Sequence, residues 1–190
     1  MVTTQFGYDV ERDVRTVEAM ASRLTPYVYE DELYGQMPGD LAKLTIGGLL
    51  MRLQRLSAIK NQLTPGQQEA LRVAEGKLDE VRRQWAVAYE GKIKREFQAR
   101  MTLLNQFVNE CVDNPRNCME NYPQAAEKRV MAQVLADEAQ HLNIIADEVK
   151  GALTSVDNKL HRYTEPGKFI WDQRLEAAYP KDKYWFLYVK

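Results

Sequence analysis

Glu138 and His141 are the two residues whose types and spacing most directly suggest chemistry. They stand in the run Glu138-Ala139-Gln140-His141, and side chains three positions apart on a helix lie on one face. Val134 and Ile145 extend the same spacing, which puts both residues on or near the apolar stripe of the predicted helix. A carboxylate and an imidazole on one face are suitable metal ligands. This pair is therefore the candidate metal site.

The E-x-x-H spacing resembles part of the site in ferritin-like di-iron bundles, which combine two such motifs with two further glutamates. The resemblance covers these four residues alone. His161 is the second of 2 histidines, and Asn158 stands where its glutamate is needed. In a continuous helix His141 and His161 lie about 30 Å apart, too far to share a metal. We therefore interpret His141 as a partly buried histidine paired with an acid or a carbonyl.

Cys111 and Cys118 are the 2 cysteines of the chain. They flank a predicted turn, and their spacing permits a disulfide that joins two helix ends. Because nothing indicates export, we expect free thiols, with the disulfide as the alternative. A zinc site needs more ligands than the neighbourhood offers, and no base is placed to activate a catalytic cysteine.

Composition excludes several classes of function. The 190 residues are 45% hydrophobic and 28% charged, which is typical of a globular domain. The 26 basic and 27 acidic side chains leave a net charge of -1, without the basic surface of a nucleic-acid-binding protein. No apolar run reaches the roughly 18 residues of a transmembrane helix, and residues 1–8 lack the pattern of a secretory signal. A cytoplasmic protein is the prediction.

Helical periodicity runs through most of the chain. A long helix is predicted from Thr64, whose side chain should form a capping box with Gln67, to residue 112. A second long helix is predicted from about residue 122 to residue 162, after a break at residues 113–117. Joined by this short break, the two should form an antiparallel hairpin.

Two shorter helices precede the hairpin. The first should begin after Asp9 and end at Thr25-Pro26, and the second should run from residues 38–40 to about residue 62. We expect Gly47-Gly48 to mark a close helix crossing, because glycine inside a helix costs about 1 kcal/mol. The predicted fold is all-α, an elongated helical bundle over residues 1–166. Residues 167–190 should form a short helix and an aromatic tail that folds back on the bundle or binds a partner.

The hairpin tip carries more apolar side chains than two helices bury, and such a patch indicates an interface. We predict a homodimer through this surface, whose residues are Phe97, Met101, Leu104, Phe107, Val108 and Met131. The alternative is that the first helix of the same chain crosses to cover it. The predicted function is a non-catalytic structural or protein–protein interaction module without a cofactor. One alternative is a ferritin-like or other metal-dependent oxidoreductase that uses Glu138 and His141. The other is a carrier of an apolar ligand among the tyrosines of residues 27–38 and Trp85.

Overall fold

The computed structural model describes residues 7–190, except for the side chain of Asn117. Its α-helices are α1 (Val10–Tyr29), α2 (Ile46–Ala58), α3 (Pro65–Gln84), α4 (Ala86–Asp113), α5 (Pro115–His141) and α6 (Ala146–Leu160). Two short antiparallel strands follow, β1 (Pro166–Phe169) and β2 (Tyr188–Val189). The predicted all-α helical bundle is confirmed. Among residues 7–190, no helix has the length and apolar character needed to span a bilayer.

The chain divides into two compact units. The first unit is Tyr8–Glu96, and the second contains Phe97–Lys190, so that the boundary falls inside α4. The boundary predicted at residue 166 lies within the second unit.

The first unit contains three packed helices. Gln67 of α3 donates a hydrogen bond to Glu11 of α1, and the rings of Tyr29 and Trp85 meet at the other ends of the same helices. Because both contacts have the same offset in residue number, α1 and α3 run parallel. The helix between them, α2, returns in the opposite direction and packs against both. The three helices form a local bundle.

The second unit contains the helical hairpin. Cys111 of α4 is joined to Cys118 of α5, and Phe107 contacts Tyr122 one helical turn further from Asn114 on each side. This symmetric spacing about Asn114 shows that the two helices are antiparallel, as predicted. Helix α6 then packs against α5.

Both predicted long helices are interrupted. The first is broken at Trp85 (φ -124°, ψ 33°), although the sequence has no proline or glycine there to explain the break. The second is broken at residues 142–145, where Asn143 and Ile145 have φ of 56° and 41°. Asparagine tolerates this left-handed conformation, whereas a β-branched residue rarely adopts it. The second break turns the chain so that α6 packs on α5.

Helix boundaries near the N-terminus also differ from the prediction. Asp9 caps α1 by accepting a hydrogen bond from the N–H of Arg12, as expected, but α1 continues through Pro26 to Tyr29. Helix α2 begins only at Ile46, where the Thr45 hydroxyl accepts from the N–H of Gly48. The residues from 38 to 44, predicted to be helical, therefore form a loop.

The carboxyl-terminal residues pack against the helices of the second unit, to which they belong. The short helix predicted within residues 167–190 is a 3-10 helix, Gln173–Ala178. In the tail, Tyr184, Phe186 and Leu187 are buried, and the Tyr122 hydroxyl donates a hydrogen bond to the carbonyl oxygen of Phe186.

Candidate functional site

The two candidate metal ligands lie in different environments. Glu138 is buried, whereas His141 is the last residue of α5 and is exposed. The interpretation of His141 as partly buried is wrong, because the helix ends there and the chain turns away. The described residues contain no group of three or more His, Cys, Asp or Glu side chains that could hold a metal ion. The alternative of a metal site at Glu138 and His141 therefore gains no further ligand from the fold.

The second histidine has a packing partner. The His161 ring stacks on the indole of Trp185, with centroids 3.6 Å apart and planes inclined by 16°. This contact attaches the C-terminal end of α6 to the aromatic tail.

The expectation of free thiols is wrong for this structure. Cys111 and Cys118 form a disulfide with a Cα–Cα distance of 4.8 Å, and both residues are buried. Asn114 alone separates α4 from α5, so the hairpin turn is short enough to bring the last turn of one helix against the first turn of the other. The spacing of the two cysteines permits the disulfide, and the one-residue turn brings them close enough to form it.

The dimer surface was predicted because the apolar side chains of the hairpin tip were expected to be exposed in a single chain, and this expectation is also wrong. Five of its residues are buried within the single chain: Phe97, Met101, Leu104, Phe107 and Val108. Met131 is partly buried. Phe107 contacts the Tyr122 ring, and Asn105 on the same stretch accepts a hydrogen bond from Lys159 of α6. The hairpin is therefore covered by α6 and by the C-terminal residues as well as by its own two helices.

Buried charges in the first unit connect its helices. Asp13 of α1 forms ion pairs with Arg52 and Arg55 of α2, at 3.3 Å and 3.8 Å. The buried Glu96 carboxylate of α4 accepts a hydrogen bond from the N–H of Gly47 at the start of α2, where the helix dipole favours a negative charge. The glycine pair therefore lies in the first turn of α2, and α4 approaches the helix there.

A buried ion pair serves the same purpose in the second unit. Arg129 of α5 binds both carboxylate oxygens of Asp157 of α6, at 2.8 Å and 2.9 Å. Its guanidinium also lies 4.5 Å from the centroid of Phe186 in the tail. Burial raises the pKa of the neighbouring Tyr122 hydroxyl well above 10.0, and the Asp157 charge adds to the shift. These groups hold α5, α6 and the tail together.

Two cations of α4 hold the loop that follows α1. The Lys92 ammonium donates to the carbonyl oxygen of Glu32 and lies 4.1 Å from the centre of the Tyr27 ring, while Arg95 donates to the carbonyl oxygen of Asp31 at 3.1 Å. Burial lowers the pKa of Lys92, and the charge of Arg95 lowers it further. Nothing in the spacing of Lys92 and Arg95 connects them with residues 27–38, so these contacts were not predictable from the sequence.

The exposed surface of the first unit carries an aromatic pair. Tyr29, the last residue of α1, and Trp85, which follows α3, have ring centroids 5.1 Å apart. They are 57% and 39% exposed, although side chains of this size are usually much more buried. The exposed acidic run Glu30, Asp31 and Glu32 follows directly on Tyr29. We call these five residues the Tyr29–Trp85 surface.

A carrier of an apolar ligand needs a concave pocket. A surface groove does lie between α1 and α3, lined by residues that include Ala21, Ser22, Ala70 and Val73. None of the tyrosines of residues 27–38 lines it, and neither does Trp85. The carrier alternative therefore stays a prediction, and this groove does not involve the residues on which it was based.

Comparison of the chain with protein-family models, with curated proteins and with solved structures gave no match.

Proposed function

We propose that this chain is a non-catalytic protein–protein interaction module that contacts its partner through the Tyr29–Trp85 surface. The observation that carries the proposal is the exposed aromatic pair itself. Tryptophan and tyrosine are enriched among the residues that dominate binding energy at protein interfaces. Covering exposed apolar area of this kind with a partner removes it from water, which favours binding.

The placement of the buried charges also supports a structural role for the helices. Asp13 and Asp157 are engaged with arginines of a neighbouring helix, and Glu96 caps the start of α2. These ionisable groups join helices to one another. Such contacts suit a scaffold whose helices hold a binding surface in place.

A metal-dependent oxidoreductase that uses Glu138 and His141 is the competing function. Elemental analysis of protein purified without chelators separates the two. We expect iron, manganese and zinc far below one ion per chain. One ion per chain that disappears in a His141→Ala variant would replace the interaction proposal with the oxidoreductase.

Self-association is a second part of the proposal, and it has lost its original support because the predicted surface is buried. Sedimentation equilibrium over a wide concentration range tests it. A homodimer would require another surface of the chain, and a single species of 22.0 kDa would contradict it.

The cytoplasmic location also stays a prediction. The Cys111–Cys118 disulfide weighs against it, because disulfides persist mainly in oxidising compartments. Alkylation of the protein in lysates of its native cells, denatured without reductant, tests this point. Two alkylated cysteines would support the cytoplasm, and none would support an oxidising compartment.

A further inference from the structure

We propose that the Tyr29–Trp85 surface binds a basic segment of a protein partner, with an arginine or lysine side chain against the rings and the three carboxylates around it. This inference rests on the proposed interaction function and specifies the class of partner.

The aromatic pair supplies one half of a cation site. A tryptophan face attracts arginine and lysine more strongly than other rings do, and a tyrosine face attracts them too. The two rings are inclined by 45°, so they form an open angle instead of a closed stack. Both remain exposed in this arrangement, which leaves ring surface for a third group.

The acidic run supplies the other half. Glu30, Asp31 and Glu32 are all exposed, and the cation on which their charges act is Lys92 of α4. Helix α1 ends at Tyr29 with no basic residue in its last turn. The negative end of its dipole therefore adds to the three carboxylates.

Nearby cations oppose this charge only in part. Lys92 and Arg95 point their charged groups at main-chain carbonyl oxygens of the same loop, and the charges of Glu30, Asp31 and Glu32 act on the Lys92 ammonium. In the last turn of α3, Arg82 is paired with Asp79. Arg83 lies in the same turn.

The same hydrogen bonds prepare the loop for binding. They fix the carbonyl groups of Asp31 and Glu32 against α4, while the Tyr27 hydroxyl donates to the carbonyl oxygen of Leu33 at 2.8 Å. A loop held in this way loses little conformational entropy when a ligand binds, which preserves affinity.

The test is a titration of the full chain with blocked oligo-arginine, oligo-lysine and oligo-glutamate peptides, followed by calorimetry at low and at physiological salt. We expect both basic peptides to bind, arginine more tightly, and oligo-glutamate not to bind. Affinity should fall as salt rises, because exposed charges are screened. Equal binding of the basic and the acidic peptides, or no binding of either, would overturn the proposal.

Variants separate this surface from general electrostatics. A Trp85→Ala change should weaken oligo-arginine binding about two- to fivefold through the lost cation–π contact, and Trp85→Phe should weaken it less. The triple change Glu30→Gln, Asp31→Asn and Glu32→Gln should weaken it about tenfold, from three exposed ion pairs.

The matched control is a triple variant that also neutralises three carboxylates, but in the second unit. Asp147→Asn, Glu148→Gln and Asp182→Asn alter exposed residues, and they should leave the affinity within about twofold of the original. If the control weakens binding as much as the loop triple does, the binding is nonspecific and the proposal fails. Far-UV circular dichroism confirms the fold of each variant. Should Trp85→Ala not fold, Trp85→Phe and the loop triple still decide.

The inference and the function on which it rests fail separately. Loss of peptide binding in a metal-free protein would refute the basic partner and leave the interaction function standing. A stoichiometric metal ion would refute the interaction function, whatever the peptides do.

Discussion

Replacing Cys111 and Cys118 together by alanine should destabilise the second unit in a predictable way. The two residues are separated by 7 positions, and the chain-entropy relation for so short a closed loop gives about 2.5 kcal/mol. Alanine avoids burying a serine hydroxyl at positions that are 0% and 4% exposed. With a urea m-value of about 2 kcal/mol/M, the unfolding midpoint should fall by about 1 M.

The measurement is urea unfolding followed by tryptophan fluorescence in a Trp85→Phe background. The remaining tryptophans, Trp171 and Trp185, both lie in the second unit, so the signal reports its unfolding alone. Reductant should lower the midpoint of the parent protein to that of the double alanine variant, and should leave the variant unchanged. A parent midpoint that is insensitive to reductant would refute the argument, and so would alkylation of both cysteines in denaturant without reductant.

Three further predictions concern buried polar groups. Arg129→Ala should lower the free energy of unfolding by about 3 kcal/mol in chemical denaturation, because it leaves the Asp157 carboxylate without its buried partner; a loss under 1 kcal/mol would contradict this. Because the pKa of Tyr122 is raised in the folded chain, the unfolded chain loses this proton first, so stability should fall as pH rises above 10.0 and fall less in Tyr122→Phe. Because the pKa of Lys92 is lowered, the unfolded chain binds the extra proton up to pH 10.5, so stability should rise as pH approaches that value from below. Replacing Lys92 by methionine should flatten this rise, and unfolding midpoints measured across the alkaline range check both pH effects.

Local signals in the sequence were reliable where the interaction itself is local. The capping box is formed as predicted, with the Thr64 hydroxyl accepting from the N–H of Gln67 and the Gln67 side chain accepting from the N–H of Thr64. The Asp9 cap is also formed. Thr45 is also an N-cap residue, and it precedes the true start of α2 at Ile46. The predicted start was placed too early because it was assigned to the proline and glycine at residues 38–39.

The breaks at Trp85 and at residues 142–145 had no comparable signal. Neither position carries a proline or a glycine, and the second places Ile145 in a conformation that its side chain disfavours. Where a helix breaks without such residues depends on contacts between residues distant in sequence, and hydrophobic periodicity does not reveal those contacts. Because the break lets α6 pack on α5, missing it left the hairpin uncovered in the prediction and produced the dimer surface.

The candidate surface was only partly visible in the sequence. Trp85 and the tyrosines of residues 27–38 were singled out, yet Tyr29 and Trp85 meet only because α1 and α3 run parallel. That direction follows from the short connection between α2 and α3. The register of the two helices depends on packing, so it had to come from the structure.

Photo-crosslinking tests the central claim most directly, namely that the chain acts through contacts at the Tyr29–Trp85 surface. A photoreactive phenylalanine is placed at Tyr29 in one variant and at Lys150, an exposed position on α6, in another, and both are irradiated in native cells. We predict one discrete adduct from position 29 that weakens when Trp85 is changed to alanine, and no adduct from position 150. Matching adducts from both positions, or none from position 29, would contradict the claim.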